Sequence, residues 1–145
     1  MLADIGLYAT AIAFLLAVYA TITSAFGGLR ERPAWVESAR NAALLVFPLL
    51  TISVVILVYL LYSLDFSISY VADVSSQVMS PFLRITALWG GQSGSVLFWA
   101  WLMSGFVAAV LLRKWQRDRE LMPYVIAVAM LTTAFFIGLV LFITN

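Results

Sequence analysis

Four stretches of this chain contain no aspartate, glutamate, lysine or arginine, and each is long enough to cross a bilayer. They are Ile5–Phe26, Ala42–Leu64, Gly94–Leu112 and Pro123–Thr144, of 22, 23, 19 and 22 residues. About 20 helical residues match the hydrocarbon thickness of a membrane. The expectation is an all-α membrane protein: one domain, residues 1–145, with four transmembrane helices. Composition agrees, since 64% of the residues are hydrophobic and 10% are charged, against roughly 25% charged in soluble domains. The leader "MLAD" carries no base, and the first run is longer than a signal-peptide core of roughly 7–15 residues, so it reads as a retained span.

The eight basic residues set the expected direction of these spans. Arg30, Arg32 and Arg40 lie between spans one and two, and Arg113, Lys114, Arg117 and Arg119 between spans three and four. Only Arg84 lies in the middle connection. Basic residues in short loops stay on the cytoplasmic side. Both termini and the long Asp65–Ser93 connection are therefore expected to face outward.

Local punctuation fills in the ends. Gly27-Gly28 is expected to end the first helix. Pro33 suits a first helical position, where its missing N–H would be unpaired anyway, so helix two is expected to start near Ala34. Trp35 and Trp115 are placed at headgroup level, and "RKWQRDRE" reads as a solvated helix end. Within the spans, helices associate through close backbone approach. Ala9, Ala13 and Ala17 form one small-residue seam, Ala100, Ser104 and Ala108 another with Gly105 and Ala109 beside it, and Ala134 with Gly138 a third. Pro48 is expected to bend helix two.

Several function classes recede. Proton relays and ion paths need ionisable groups at depth, and these spans have none, which disfavours an ion-translocating subunit. A carrier built on inverted repeats and broken spans is not supported either. There is no histidine and no cysteine, so the commonest metal ligands and the usual neutral-pH base are absent from this chain. No basic patch interleaved with aromatics tracks phosphates, and no nucleic-acid partner is expected. Met79 and Met103 read as packing residues.

The outer connection, residues 65–93, holds the remaining signal. "DFSISYVADVS" alternates at first, suggesting an extended segment. Pro81 can open a short interfacial helix through Trp89, with Arg84 toward headgroups or an outer partner. Then comes "ALWGGQSGSVLFW". The chain must turn steeply from the membrane surface into it, and Gly90, Gly91 and Gly94 permit backbone angles closed to other residues. Ser93 or Ser95 is expected to cap span three, and Trp89, Trp99 and Trp101 to sit at the boundary. Turning the chain needs no amide, so Gln92 is the best single candidate for contacting a substrate or a neighbouring segment. The stretch is neither a Rossmann nor a P-loop fingerprint: no strand precedes it, and the Lys-Ser/Thr pair is missing.

"RITALWGGQSGSVLFWAWLMSGF" closely resembles the glycine-rich segment near the start of cytochrome c-type biogenesis proteins of the CcmF type, the haem-lyase family. "IGLYATAIAFLLAVY", "DFSISYVA" and "FFIGLVLFITN" resemble that family's first span, its entry into the first outer loop and the end of its fourth span, so the likeness covers essentially the whole chain in order. It implies a part in attaching haem covalently to apocytochrome c on the outer face of a bacterial inner (plasma) membrane. It also implies haem as cofactor, with a haem chaperone, apocytochrome-binding subunits and the rest of the haem-lyase protein as partners. Many members carry histidine where Gln92 stands and often glutamate where Ser93 stands, so no ligand or acid role carries over to these positions. The family's haem-liganding histidines and its tryptophan-rich "WWD" segment lie further along its chain, which makes this sequence resemble an amino-terminal portion, not catalytic alone. On that reading Arg84, Trp89, Gly90, Gly91, Gln92, Gly94 and Ser95 lie near the haem or cytochrome entry. The reading from a different class is a small structural or assembly subunit of a respiratory membrane complex.

Overall fold

The computed structural model describes residues 2–63, 82, 92–114 and 120–143. Helix α1 runs Leu2–Leu29, α2 Pro33–Ser63, α3 Gln92–Lys114 and α4 Met122–Gly138, the last continuing as a π-helical turn over Leu139–Ile143. All four are long and apolar enough to cross a membrane. The helices overshoot the uncharged runs because charged residues at a bilayer boundary end the apolar stretch without ending the hydrogen-bond ladder.

The helices run up, down, up and down. α1 packs on α2 and α4, and α3 packs on the same two, with a smaller diagonal contact between α2 and α4. The termini of α1 and α4, the end of α2 and the start of α3 share one end, here the terminal end. The short connections occupy the other.

Small residues face inward and large ones outward. On α1 the inward stripe is Ala9, Ala13, Ala17, Ala20 and Ser24, all buried, while Tyr8, Ile12, Leu15, Tyr19, Ile22 and Phe26 are exposed. In lipid, association comes from close van der Waals fit rather than from expelling water, so the bulky apolar side chains belong outside. The expected seams on α3 and α4 are present, since Ala100, Ser104, Ala108 and Ala134 are buried, but Ala109, expected beside the α3 seam, is exposed on the other face of the helix. Gly105 lies under the Phe47 ring, where an added Cβ would come within 3.0 Å, and Gly138 faces Phe14.

Two expectations need correction. The pair Gly27-Gly28 does not end α1, which continues through both. The helix instead closes in a Schellman turn: the Arg32 N–H donates to the Gly27 carbonyl at 2.9 Å, and Glu31 takes the left-handed conformation at φ 53°. The two glycines serve packing. A Cβ on Gly27 would sit 2.8 Å from Val36 Cγ2 and 3.1 Å from the Val36 backbone nitrogen, and one on Gly28 would sit 2.9 Å from Pro123 Cβ. Helix two takes Pro33 as its first helical residue, as expected, and continues through Pro48, whose ring lies on the exposed face. Finally, Trp101 is not a boundary ring. It turns into the α2–α3 seam, stacks on Phe47 at 5.9 Å and donates its indole N–H to Thr51 Oγ1 at 2.9 Å. Trp99, two residues away and so on the opposite side of the helix, is 61% exposed.

Candidate functional site at the terminal end of the bundle

The glycine-rich motif leads into α3. Gln92 is its first helical residue, and Gly94 and Ser95 lie in its first turn. Ser93, Gly94 and Ser95 are therefore inside the helix, which corrects both the expected serine cap and the expected turn at Gly94. Arg84, Trp89, Gly90 and Gly91 lie outside the described residues, as do the extended segment and short helix expected within 65–93. Ser95 is half-buried.

Below this turn a cleft of about 260 Å³ opens between the helices. Asp4, Gly6 and Thr10 of α1, Ser53, Ile56 and Leu60 of α2, Leu97 of α3, and Val140 and Leu141 of the π-helical turn contribute to its wall. Its polar part is one knot. The Thr10 hydroxyl donates to the Gly6 carbonyl at 2.8 Å and lies 2.8 Å from Ser53 Oγ, and the Ser53 hydroxyl reaches the same Gly6 carbonyl at 2.9 Å. Both side chains are buried. The Ser53 hydroxyl also lies 3.3 Å from the Leu49 carbonyl, so two hydroxyl protons are shared among four oxygens. A Cβ on Gly6 would meet the Ile56 side chain at an ordinary contact distance of 3.6 Å, so the crossing does not require glycine there.

The arrangement can hold an apolar group and orient one polar atom. Thr10 and Ser53 bond each other and main-chain carbonyls, which suits the knot to positioning a group. Haem, the cofactor that the family likeness implies, does not fit these residues. No methionine lines the cleft, Met122 and Met130 are buried in the helix core, and the chain has no histidine. No group of three or more metal-binding side chains occurs among the described residues.

Sequence reasoning did not find the knot. Its only signal was two hydroxyls, Thr10 and Ser53, in otherwise apolar runs. Their meeting depends on the register of α1 against α2, which lies outside either run.

No family model matches the chain. Across its full length it is 28% identical to the cytochrome c-type biogenesis protein CcmF of Haemophilus influenzae, over 145 residues that make up 22% of that protein. It is 36% identical to the probable cytochrome c-type biogenesis protein NrfE of Escherichia coli over 115 residues, 79% of this chain and 21% of that protein. With the cytochrome c-type biogenesis protein CycK of Rhizobium meliloti it shares 32% identity over 136 residues, 93% of this chain and 20% of that protein. The chain thus spans about a fifth of the length of these relatives. In fold it matches a solved structure titled cytochrome c heme lyase CcmF with a TM-score of 0.93 at 21% identity, covering all of this chain and 24% of that one.

Proposed function

Because the chain is homologous along its length to cytochrome c-type biogenesis proteins of the CcmF family, we propose that it forms the amino-terminal membrane portion of a haem-lyase-type protein, contributing to covalent attachment of haem to apocytochrome c on the outer face of the bacterial inner membrane. The observation that carries this is likeness over the whole chain in both sequence and fold. Seven of the eight basic residues fall in the two short connections, which supports an inward-facing connection end and an outward-facing terminal end. In this reading α1–α4 are scaffold. The segment through Trp89, Gly90, Gly91, Gln92, Gly94 and Ser95, with Arg84 before it, shapes the outer surface near the haem or cytochrome entry. Haem itself is held by the rest of the haem-lyase protein, which works with a haem chaperone and apocytochrome-binding subunits.

The test is complementation in two pieces. A bacterium lacking its own CcmF-type protein receives this chain and, from a second gene, the remaining spans of a relative. Covalent haem on c-type cytochromes, read by peroxidase staining of a denaturing gel, is expected only when both pieces are present, and the two are expected to purify together. Staining that does not depend on this chain would overturn the reading. Direction is checked separately. The chain has no cysteine, so Gln92→Cys gives a single thiol, and a membrane-impermeant maleimide is expected to label it from outside the inner membrane.

A further inference from the structure

Pro48 breaks the hydrogen-bond ladder of α2 on a side of the bundle that no described helix covers. Pro33 and Pro123 stand in the first turns of α2 and α4, where a missing N–H costs nothing. Pro48 stands mid-span. It has no N–H to give the Leu44 carbonyl, so the ladder lacks one bond there. Among the described residues no side chain replaces it. The Thr51 hydroxyl donates to the Phe47 carbonyl at 2.8 Å, and Ser53 is turned to Thr10 and to the Gly6 and Leu49 carbonyls.

The break lies on the outside. Asn41, Leu45, Pro48, Ile52, Val55 and Tyr59 recur at the spacing of one helix face, and all are exposed. What covers that face decides the cost of the break. Acyl chains carry no donor, and an unsatisfied carbonyl in hydrocarbon is expensive. Mid-span prolines are tolerated where a local hydroxyl, a change of helical pitch or a neighbouring helix takes up the freed carbonyl. Here the local hydroxyls are engaged, and α2 stays α-helical from Pro33 to Ser63. A neighbouring helix remains. The outward sides of α1 and α4 pose no such demand. α1 contains no proline, its Tyr19 hydroxyl lies 2.6 Å from Ser38 Oγ, and Thr132 of α4 donates to the Val128 carbonyl at 2.9 Å.

The identity of that helix rests on the reading of this chain as the first portion of a haem-lyase-type protein, since it spans 20–22% of the length of three such relatives. We propose that the outward face of α2 is where the remaining spans pack on the bundle, through a transmembrane helix that donates a side-chain hydrogen bond to the Leu44 carbonyl. Leu45, Ile52 and Val55 form the apolar bed of this contact, and the Asn41 amide offers a second polar contact at one end, of the kind that joins helices in lipid.

The experiment extends the complementation in two pieces. The photoreactive residue p-benzoylphenylalanine is placed singly at Leu45, Ile52 or Val55 on α2, or at Leu15 on α1, all of them exposed. Co-purification before irradiation reports on the proposed function by itself, and pieces that never associate would overturn that function and this contact with it. After irradiation, a band joining the two pieces on a denaturing gel is expected from the α2 positions in clear excess over Leu15. Associated pieces that crosslink from Leu15 as well as or better than from α2 would overturn the proposal alone. Pro48→Ala restores the N–H and closes the ladder. It is expected to raise the unfolding midpoint of the isolated chain, because alanine suits a helix interior far better than proline. It is also expected to lower retention of the second piece by about threefold, the size of an average interhelical hydrogen bond in a membrane. A folded Pro48→Ala chain that retains its partner in full would overturn the proposal as well.

Discussion

Alanine at Gly27 and alanine at Gly6 are the same chemical change on the same helix, yet the structure requires opposite outcomes. Both glycines lie within α1, where replacing glycine by alanine gains about 1 kcal/mol of helix propensity. At Gly6 the new methyl meets only the Ile56 side chain, at 3.6 Å. That is ordinary contact, so the gain survives and the variant is expected to be more stable by up to about 1 kcal/mol. At Gly27 the methyl lands 2.8 Å from Val36 Cγ2, 3.1 Å from Trp35 Cβ and 3.1 Å from the Val36 backbone nitrogen. Valine is stiff about χ1, and the backbone nitrogen belongs to the first turns of α2. Relief therefore means moving the start of α2 away from α1. Overpacking of this kind costs about 1–3 kcal/mol, leaving a net loss of up to about 2 kcal/mol once propensity is counted. The two variants should consequently differ by about 1–3 kcal/mol. The assay is unfolding in mixed micelles of mild detergent and rising dodecyl sulfate, followed by far-ultraviolet circular dichroism. The Gly27→Ala midpoint is expected below the parent, and the Gly6→Ala midpoint at or above it. If the two midpoints coincide, the tight α1–α2 turn is not what the glycine serves.

Other substitutions probe separate contacts. Trp101→Phe keeps a ring beside Phe47 but removes the indole donor to Thr51; it should lower stability by about 0.6 kcal/mol, the average for an interhelical hydrogen bond in a membrane protein, in the same micelle titration. Glu31→Gly relieves a left-handed residue at φ 53° and should raise stability in the same titration by up to about 1 kcal/mol. Gln92→Ala in a complete haem-lyase-type protein should lower c-type cytochrome maturation, read by haem staining, while membrane insertion stays intact; normal maturation would make the motif a structural turn alone. The double change of Gly90 and Gly91 to valine should instead reduce the amount of folded protein recovered from membranes, because β-branched residues resist the angles of the tight turn expected there.

The spans were legible because bilayer thickness imposes a length and an apolarity that no soluble context requires, and both can be read residue by residue. The seams were legible for a related reason: Ala9, Ala13 and Ala17 recur at the helical repeat, and small residues at that spacing face a neighbour. What escaped was anything that depends on register between helices. The pairing of Thr10 with Ser53, 43 residues apart, follows from how far α1 slides along α2, and nothing in either run records that. Gly27-Gly28 was misread because glycine both terminates helices and permits their close contact. Only the approach of Val36 and Pro123 decides between the two. Trp101 was misread by residue type, yet helical arithmetic points the other way: it follows the buried Ala100 and lies one turn past the buried Leu97, whereas Trp99 faces out.

This inside-out distribution bears on where function can reside. The interior of the bundle is alanine, serine, threonine and mid-sized aliphatic side chains, and the hydroxyls of Thr10, Ser24, Ser53, Ser104 and Thr133 are committed to main-chain carbonyls or to each other. The sides are bare large apolar groups suited to acyl chains or to further helices. The four uncharged runs bring no aspartate, glutamate, lysine or arginine to either region, because charge at that depth is costly. Recognition by polar side chains is thereby pushed toward the ends, as at the Thr10–Ser53 knot beneath the first turn of α3. Under the proposed function, a scaffold of this kind would act by fixing where its ends stand relative to the rest of a haem-lyase protein. A substitution that shifts helix register, such as one at Gly27, should then impair maturation even though it lies at the end of the bundle opposite the glycine-rich motif.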